Sequence, residues 1–307
     1  MKKLEDRVLV LLSTYNGSKY LCDLLDSVFH QTDVEIFCLV RDDGSTDNTK
    51  KILKEYSRRY KNISIIEGKN IGVMASFNEL ISNPLTKQFK WLAFCDQDDV
   101  WLPEKLNVAL KRLNALSNQE CPLLYCSNTI LVDEHLKKIG MFYYKPFEFN
   151  KHTAIVRNIA TGCTEVFNQA AAEAYRTGIG RFNELHDYWM YLVCIFMGNV
   201  IYDFNSHILY RQHNGNVVGM KPHKNVKQAI KNLFSHERGN RVRTLKNFSE
   251  IYHSKLSAKD LSLISSLINY NYSLYRRLSI VFNPKLHGIT FSETIGFKIR
   301  ALLGRLY

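Results

Sequence analysis

Short apolar runs alternate with helix-period segments through the first half of the chain. Residues 8–12 form a continuous apolar run, the mark of a strand buried on both faces; Tyr20, Leu21, Leu24, Leu25, Val28 and Phe29 then share one helical face. Residues 36–40 predict a second strand. Ser45 and Asp47 can cap a helix with the apolar face Ile52, Leu53, Tyr56 and Tyr60, and residues 63–66 return to strand. Residues 73–81 read as a helix and 91–95 as a buried strand, and Pro103 opens a helix carrying Leu106, Ala109, Leu110, Leu113 and Leu116. Residues 123–132 are either one long strand or a strand pair. This alternation predicts an α/β fold of stacked βαβ units around a mostly parallel sheet with flanking helices.

From about residue 133 the pattern becomes irregular, with an aromatic loop at 141–149, a helix-like stretch at 169–176 and an apolar segment at 188–197. Beyond 220 nearly everything reads as helix, with Leu261, Ile264, Leu267 and Ile268 at helical spacing beside basic residues. The longest apolar stretch, 188–202, contains Gly198 and Asn199 and falls short of the ~18 residues a spanning helix needs, so no bilayer-crossing segment is expected. Glu5, Asp6 and Arg7 interrupt the first apolar run and no small-residue cleavage site follows, so no signal peptide is expected.

Composition narrows the class. With 307 residues, 46% hydrophobic and 23% charged, the chain is globular and long enough for a large core. Its seven cysteines include no C-x-x-C pair and are odd in number, which argues against a disulfide framework and a cysteine-rich zinc module and for a reducing cytoplasm. Charge is unevenly placed. Residues 1–220 carry 25 Lys and Arg against 25 Asp and Glu, whereas 221–307 carry 16 against 4. All the excess positive charge therefore lies in the last part, which divides the chain at 220 and suits a polyanion, either nucleic acid or an anionic membrane face. A solvated helical surface is the plainer reading.

Four polar clusters fall at predicted strand ends: Ser13 to Asn16, Asp42 to Asp47, Asp96 to Asp99, and His186 with Asp187. Open α/β sheets bind ligands beyond the carboxyl ends of their strands, so three of these clusters are expected to share one crevice. Taken singly, each also reads as an ordinary turn, helix cap or solvated loop. The acidic loop is the most suggestive, because Asp96, Asp98 and Asp99 follow the apolar WLAFC. Like charges so close favour a cation, and an oxygen-only set favours Mg²⁺ or Mn²⁺ shared with substrate phosphates. A metal-bridged diphosphate is the natural guest.

In this order the motifs STYNG, RDDGSTDNT, KNIGVMASFNELI, FCDQDDVW, TGCTEVF, HDYW and YRQHNGNVVG make residues 7–220 resemble the family 2 glycosyltransferases, with the GT-A nucleotide-sugar-binding fold. The last motifs look most like rhamnosyltransferase-type members that build bacterial capsule, O-antigen or wall polysaccharides. The resemblance implies a base pocket of Thr14, Tyr15 and Asn16, with Tyr15 stacking on a pyrimidine whose ring N–H goes to Asp43. It implies close backbone approach at Gly72, supported by Asn78, and a ribose and metal site at Asp96 and Asp98, backed by Asp99. Asp187 is the implied general base of a single, inverting displacement, with His186, Trp189 and His213 on the acceptor side and Arg211 or His213 near a diphosphate. YRQH replaces the QxxRW of processive synthases, which favours one sugar per encounter.

The polysaccharide-building relatives imply a lipid-linked or oligosaccharide acceptor at the inner face of the cell membrane. The basic region 221–307 is then a mainly helical, peripheral membrane-association region, best represented by 261–282, with Tyr, Leu and Ile dipping into the headgroup zone. Nucleic acid is disfavoured, since no recognised module or base-stacking platform is present. An inactive nucleotide-sugar-binding scaffold is the rival class, and intact Asp96, Asp98 and Asp187 argue against it. A dinucleotide oxidoreductase would need G-x-G-x-x-G after the first strand, where STYNGSKY stands. Donor sugar, linkage and oligomeric state are not legible.

Overall fold

The computed structural model describes residues 6–182, 184–213 and 240–306. The expected division at 220 and the NGNVVG end of the last motif lie outside the described residues. The first half follows the predicted alternation: β1 (Arg7–Thr14), α1 (Leu21–Phe29), β2 (Glu35–Asp42), α2 (Thr49–Arg59), β3 (Ile63–Glu67), α3 (Val73–Ser82), β4 (Trp91–Cys95), the two-residue β5 (Val100–Trp101) and α4 (Lys105–Asn114). Then come β6 (Leu123–Val132), one long strand rather than a pair, β7 (Lys138–Met141), the short α5 (Lys151–Ala154), β8 (Val166–Asn168), α6 (Gln169–Thr177), α7 (His186–Met197) and β9 (Asn199–Arg211). Among the described residues four helices follow, α8 (Asn240–Ile251), α9 (Ala258–Ile268), α10 (Leu274–Phe282) and α11 (Phe291–Leu302).

The strands form one 9-stranded sheet in the order β3-β2-β1-β4-β8-β6-β9-β5, with β7 beside β6. β1, β2, β3, β4, β6 and β9 run one way and β5, β7 and β8 the other, so the sheet is mostly parallel in strand direction. Strand alternation sorts β1 into two layers. Leu9 and Leu11 pack with Phe77, Tyr175 and the α7 aromatics, and Val8, Val10 and Leu12 pack with α1 and α4 on the other face. Burying each such side chain contributes ~1.5–3 kcal/mol before entropy is counted.

The expectation that HDYW follows a strand is corrected. His186 and Asp187 open helix α7, which is buried over most of its length. The apolar stretch 188–202 hides a helix–strand junction at Gly198, where an added Cβ would meet the Pro122 carbonyl oxygen. The strand after it, β9, escapes the sequence pattern for that reason. The C-terminal helices share the core of the sheet: Leu245 and Phe248 of α8 and Tyr252 just after it lie in the cluster of Leu9 and Phe94, with Phe248 5.5 Å from Phe196 and 5.4 Å from Trp189 between ring centres. No helix among the described residues is long and apolar enough to cross a membrane.

Candidate active site

β1, β2 and β4 end side by side, and the loops that follow them form one wall of a cavity of about 510 Å³. Tyr15, Asp43, Gly72, Asp96 and Asp98 line that wall. His186 and Asp187, delivered by the first turn of α7, line the same cavity with Tyr188, His186 packed on Phe94 of β4 at 4.8 Å between ring centres. Asp43, Asp98 and Asp187 are 144 residues apart at the extremes, yet they share one pocket.

Asp43 holds the Gly72 turn. Its Oδ1 accepts from the Ile71 N–H at 2.8 Å and its Oδ2 from the Gly72 N–H at 2.9 Å, while Arg41 ion-pairs with Oδ1. A carboxylate oxygen has two lone pairs, so Oδ2 keeps capacity for a ligand donor. Gly72 has φ +84°, a conformation that strains any L side chain even though an added Cβ would meet nothing. Gln97, given no role of its own by the sequence, ties the first loop to the acidic one: its Oε1 accepts from Thr14 Oγ1 at 2.7 Å and from the Tyr15 N–H at 2.8 Å. Tyr15 is left 44% exposed.

The remaining expected residues are placed differently. Thr14 is buried against Gln97, and Asn16 Oδ1 accepts from the Thr46 N–H at 2.8 Å, so both brace the loop rather than line the cavity. Asn78 accepts from the Tyr175 hydroxyl at 2.8 Å inside the core. Trp189 is fully buried, stacked 4.6 Å from Phe182, which removes it from the acceptor side. Arg211 is sealed behind the acidic loop: its Nε donates to the Asp98 carbonyl at 2.8 Å and its Nη2 to Asp23 at 2.9 Å, while its backbone N–H bonds Asp99 Oδ1 at 3.0 Å. It therefore positions the loop. His213 touches the site indirectly, with Nε2 2.7 Å from Asp98 Oδ2.

Electrostatically the pocket crowds carboxylates together, with Asp96, Asp98 and Asp187 half-buried along it and Asp43, Asp99 and Glu165 buried. Burial, then the neighbouring Asp98 and Asp187 charges, push Asp96 up to about 7. Burial pushes Asp187 up to about 7 as well, opposed by hydrogen bonds from the backbone of Tyr188 and Gly162. Behind them Glu165, fully buried, has no hydrogen-bond partner on either oxygen, and burial followed by the charges of Asp187 and Asp96 holds it well above the carboxylate range. Glu165 lies inside TGCTEVF, but nothing in the spacing marks it as buried. His186 stacks 3.8 Å from Phe77, has no partner on either ring nitrogen and is pushed by burial down to about 3, so it is a neutral wall.

Asp96, Asp99 and Cys163 bring ligand atoms within 4.8 Å of one another, and Asp99 Oδ2 is buried without a partner. Burial holds the Cys163 thiol far above its ordinary value, which makes it a poor ligand for a hard cation. Of the three acidic-loop carboxylates, Asp96 and Asp98 line the cavity and Asp99 does not, so those two would be the ones to offer oxygens to Mg²⁺ or Mn²⁺ there.

A sheet with a carboxylate pocket across its strand ends defines the class, an α/β ligand-binding fold of the nucleotide-handling type. The profile of Glycosyl transferase family 2 matches residues 9–176. The dTDP-rhamnosyl transferase RfbG of Shigella flexneri is 30% identical over 227 residues, covering 68% of this chain and 73% of RfbG. An uncharacterized glycosyltransferase of Rickettsia typhi, RT0329, is 27% identical over 67% of this chain and 64% of its own length. The chain belongs to glycosyl transferase family 2 and is a glycosyltransferase. Its fold is that of Staphylococcus aureus TarS 1-349, with TM-score 0.57 at 14% identity over 96% of this chain and 81% of TarS. The same TarS segment in complex with UDP-GlcNAc gives TM-score 0.56 at 14% identity over 98% and 93%. The GT-A resemblance thus extends to the whole architecture.

Proposed function

We propose that this chain is an inverting, divalent-cation-dependent glycosyltransferase moving one sugar, rhamnose or a hexose, from a dTDP- or UDP-sugar to a lipid-linked or glycan acceptor in cell-surface polysaccharide synthesis. The observation that carries the reading is the meeting of Asp43, Asp96, Asp98 and Asp187 in one cavity. The dTDP-sugar named for RfbG and the UDP-sugar named for TarS have in common a pyrimidine nucleoside diphosphate, which suits the exposed Tyr15 ring beside Asp43.

In this mechanism Tyr15 and Asp43 hold the base, and the Gly72 turn lets the backbone approach the nucleotide. Asp96 and Asp98 would hold Mg²⁺ or Mn²⁺, which when bound neutralises charge on the departing nucleoside diphosphate. Asp187, across the cavity, takes the proton of an acceptor hydroxyl. The hydroxyl oxygen forms its bond to the anomeric carbon as the bond to the diphosphate oxygen breaks on the opposite face, which inverts that centre. A base pushed up to about 7 is matched to proton transfer near neutral pH. Tyr188 follows it with its ring buried and its hydroxyl donating to the Ala154 carbonyl at 3.0 Å, which fixes the first turn of α7 that carries the base.

The C-terminal helices support a membrane partner, with a shift in the region responsible. Ile264 and Leu267 of α9 are buried in the core. Exposed apolar side chains begin at Tyr272 and include Leu274, Tyr275, Phe282, Phe291, Ile295 and Leu303, with Tyr275 81% and Phe291 83% exposed. Arg276, Lys285 and Arg305 stand among them on the surface. Aromatics with interspersed cations suit the headgroup zone of an anionic leaflet, here the inner face of the cell membrane.

A panel of dTDP- and UDP-sugars, with and without Mg²⁺ or Mn²⁺, tests the reading by nucleoside diphosphate release. Cation-dependent release from one donor supports it. No release from any donor with acceptor extracts from polysaccharide-producing cells overturns it.

A further inference from the structure

The cavity is acidic along the strand ends, but two guanidinium groups reach its far side. Among the described lining residues the cationic side chains are Arg157 and Arg241. Arg157 follows α5, and Arg241 comes from α8, so one cation of the basic C-terminal region serves the pocket rather than the outer surface. Both are partly withdrawn from water, with side chains 30% and 19% exposed.

Their surroundings place them on the side of Asp187. The Arg241 guanidinium lies 4.7 Å over the ring of Tyr188, the residue after Asp187 in the first turn of α7, and also donates to the Val156 carbonyl. Arg157 lies 5.8 Å from the Tyr143 ring centre and donates to the Tyr143 hydroxyl at 3.4 Å. Each cation has a carboxylate at hand, Glu293 of α11 for Arg157 and, at 3.9 Å, Glu184 for Arg241. An acceptor whose hydroxyl reaches Asp187 enters the cavity that Arg157 and Arg241 also line, with Arg241 held next to Asp187 by its seat over the Tyr188 ring. A neutral sugar needs hydrogen-bonding groups and an aromatic face there. Two forked cations, partly desolvated, match phosphate oxygens instead.

We propose that Arg157 and Arg241 form an acceptor-side phosphate subsite, so that the acceptor carries a phosphate or diphosphate ester close to the hydroxyl that is glycosylated. The proposal rests on the transferase reading for the role of Asp187. Glu293 and Glu184 neutralise the two cations when the subsite is empty, and the incoming phosphate displaces them. The shared chemistry is an anionic phosphate ester, supplied either by a lipid diphosphate or by a phosphorylated glycan.

Calorimetry at fixed free Mg²⁺ tests this in two stages on the full chain. UDP and dTDP are titrated first; geranyl diphosphate and glycerol phosphate are then titrated separately into protein saturated with whichever nucleotide binds. The expected result is a second site that fills without releasing nucleotide. Preference for geranyl diphosphate assigns the lipid diphosphate, and equal or better binding of glycerol phosphate assigns the phosphorylated glycan. Arg157→Gln and Arg241→Gln are each expected to weaken that binding by about tenfold or more, as loss of a charge-assisted contact does. Arg243→Gln, an exposed charge on the same helix, leaves it intact. Arg157→Lys, which keeps the charge beside Glu293 but loses the fork, falls between, with an unchanged melting temperature showing the fold intact. The subsite is overturned if neither ester binds the nucleotide-saturated protein, if binding expels the nucleotide, or if both Gln variants bind as wild type does. Failure of UDP and dTDP themselves to bind overturns the pyrimidine-nucleotide donor reading, whereas nucleotide binding with neither ester following overturns the subsite alone, which separates the two failures.

Discussion

The strand-end pocket and the C-terminal helices break the usual sorting of side chains in opposite directions. In the pocket, carboxyl groups are buried, and Glu165 and Asp99 leave oxygens with no hydrogen-bond partner. On α10 and α11, large apolar side chains such as Tyr275, Phe282 and Phe291 stand in water. Buried charge costs several kcal/mol unless paired, and each exposed aromatic forgoes ~1.5–3 kcal/mol of burial. The proposed function assigns these two departures of opposite sign to two partners of opposite character: a cation and reacting hydroxyl at the pocket, a membrane surface at the helices. A fold selected for stability alone would have neither.

Removing the base is expected to have the largest effect. Asp187→Asn should lower sugar transfer ~10²–10⁴-fold, the usual contribution of a positioned proton acceptor, in a single-turnover assay. The same change should stabilise the fold. Asp187 is pushed from 3.8 up to about 7, so between those values the folded state binds its proton more tightly than the unfolded state. The stability this confers is complete below 3.8 and is lost as pH rises through 7. Thermal melts should therefore show Asp187→Asn gaining on wild type at pH 8 and little difference at pH 4. If the variant were less stable at pH 8, the buried-charge side of the comparison would be broken.

Next in size, transfer should depend on pH. The base acts ionised, so the rate under saturating donor and cation should rise about tenfold per unit well below 7 and level off above it. A flat profile between pH 5 and 8 would contradict the assignment.

The other half of the comparison is sharpened with vesicles. Replacing Tyr275, Phe282 and Phe291 together by Ser should reduce cosedimentation with anionic liposomes by about tenfold or more while nucleotide binding persists. Arg276→Gln and Lys285→Gln should each reduce it by about fivefold at low salt, from ~1 kcal/mol per basic residue near an acidic leaflet. Undiminished binding by the triple variant would show that the exposed apolar face serves something other than a bilayer.

The smallest effect belongs to the scaffold. Gly72→Ala forces a side chain into φ +84°, at a cost of ~1–3 kcal/mol, and should lower the melting temperature by a few degrees and weaken nucleotide affinity.

The parallel half of the fold was legible because each element carries its own period. Leu9 and Leu11 alternate with Val8 and Val10 between two cores, and Tyr56 and Leu53 repeat on the buried face of α2. The meeting of the strand-end clusters was legible for the same reason: loops after buried strands converge by topology, as those carrying Tyr15, Asp43, Asp96 and Asp98 do. What was hidden depends on contacts between distant segments. Trp189 reads as an exposed aromatic next to the base, but its packing on Phe182 and Phe248 is a tertiary fact. Arg211 reads as a ligand because it is charged, and the structure makes it a brace for Asp98 and Asp99. Arg241 carries no local signal, since only the docking of α8 beside α7 brings it to the cavity.

The central claim is a division of labour within one cavity, with Asp98 on the donor side and Asp187 on the acceptor side. It is tested most directly by titrating UDP or dTDP with Mn²⁺ into Asp98→Asn and Asp187→Asn while measuring sugar transfer by the same samples. The account predicts that Asp98→Asn loses cation-dependent nucleotide affinity, and that Asp187→Asn binds nucleotide as wild type does but transfers almost no sugar. Wild-type transfer by Asp187→Asn, or undiminished nucleotide affinity in Asp98→Asn, would contradict it.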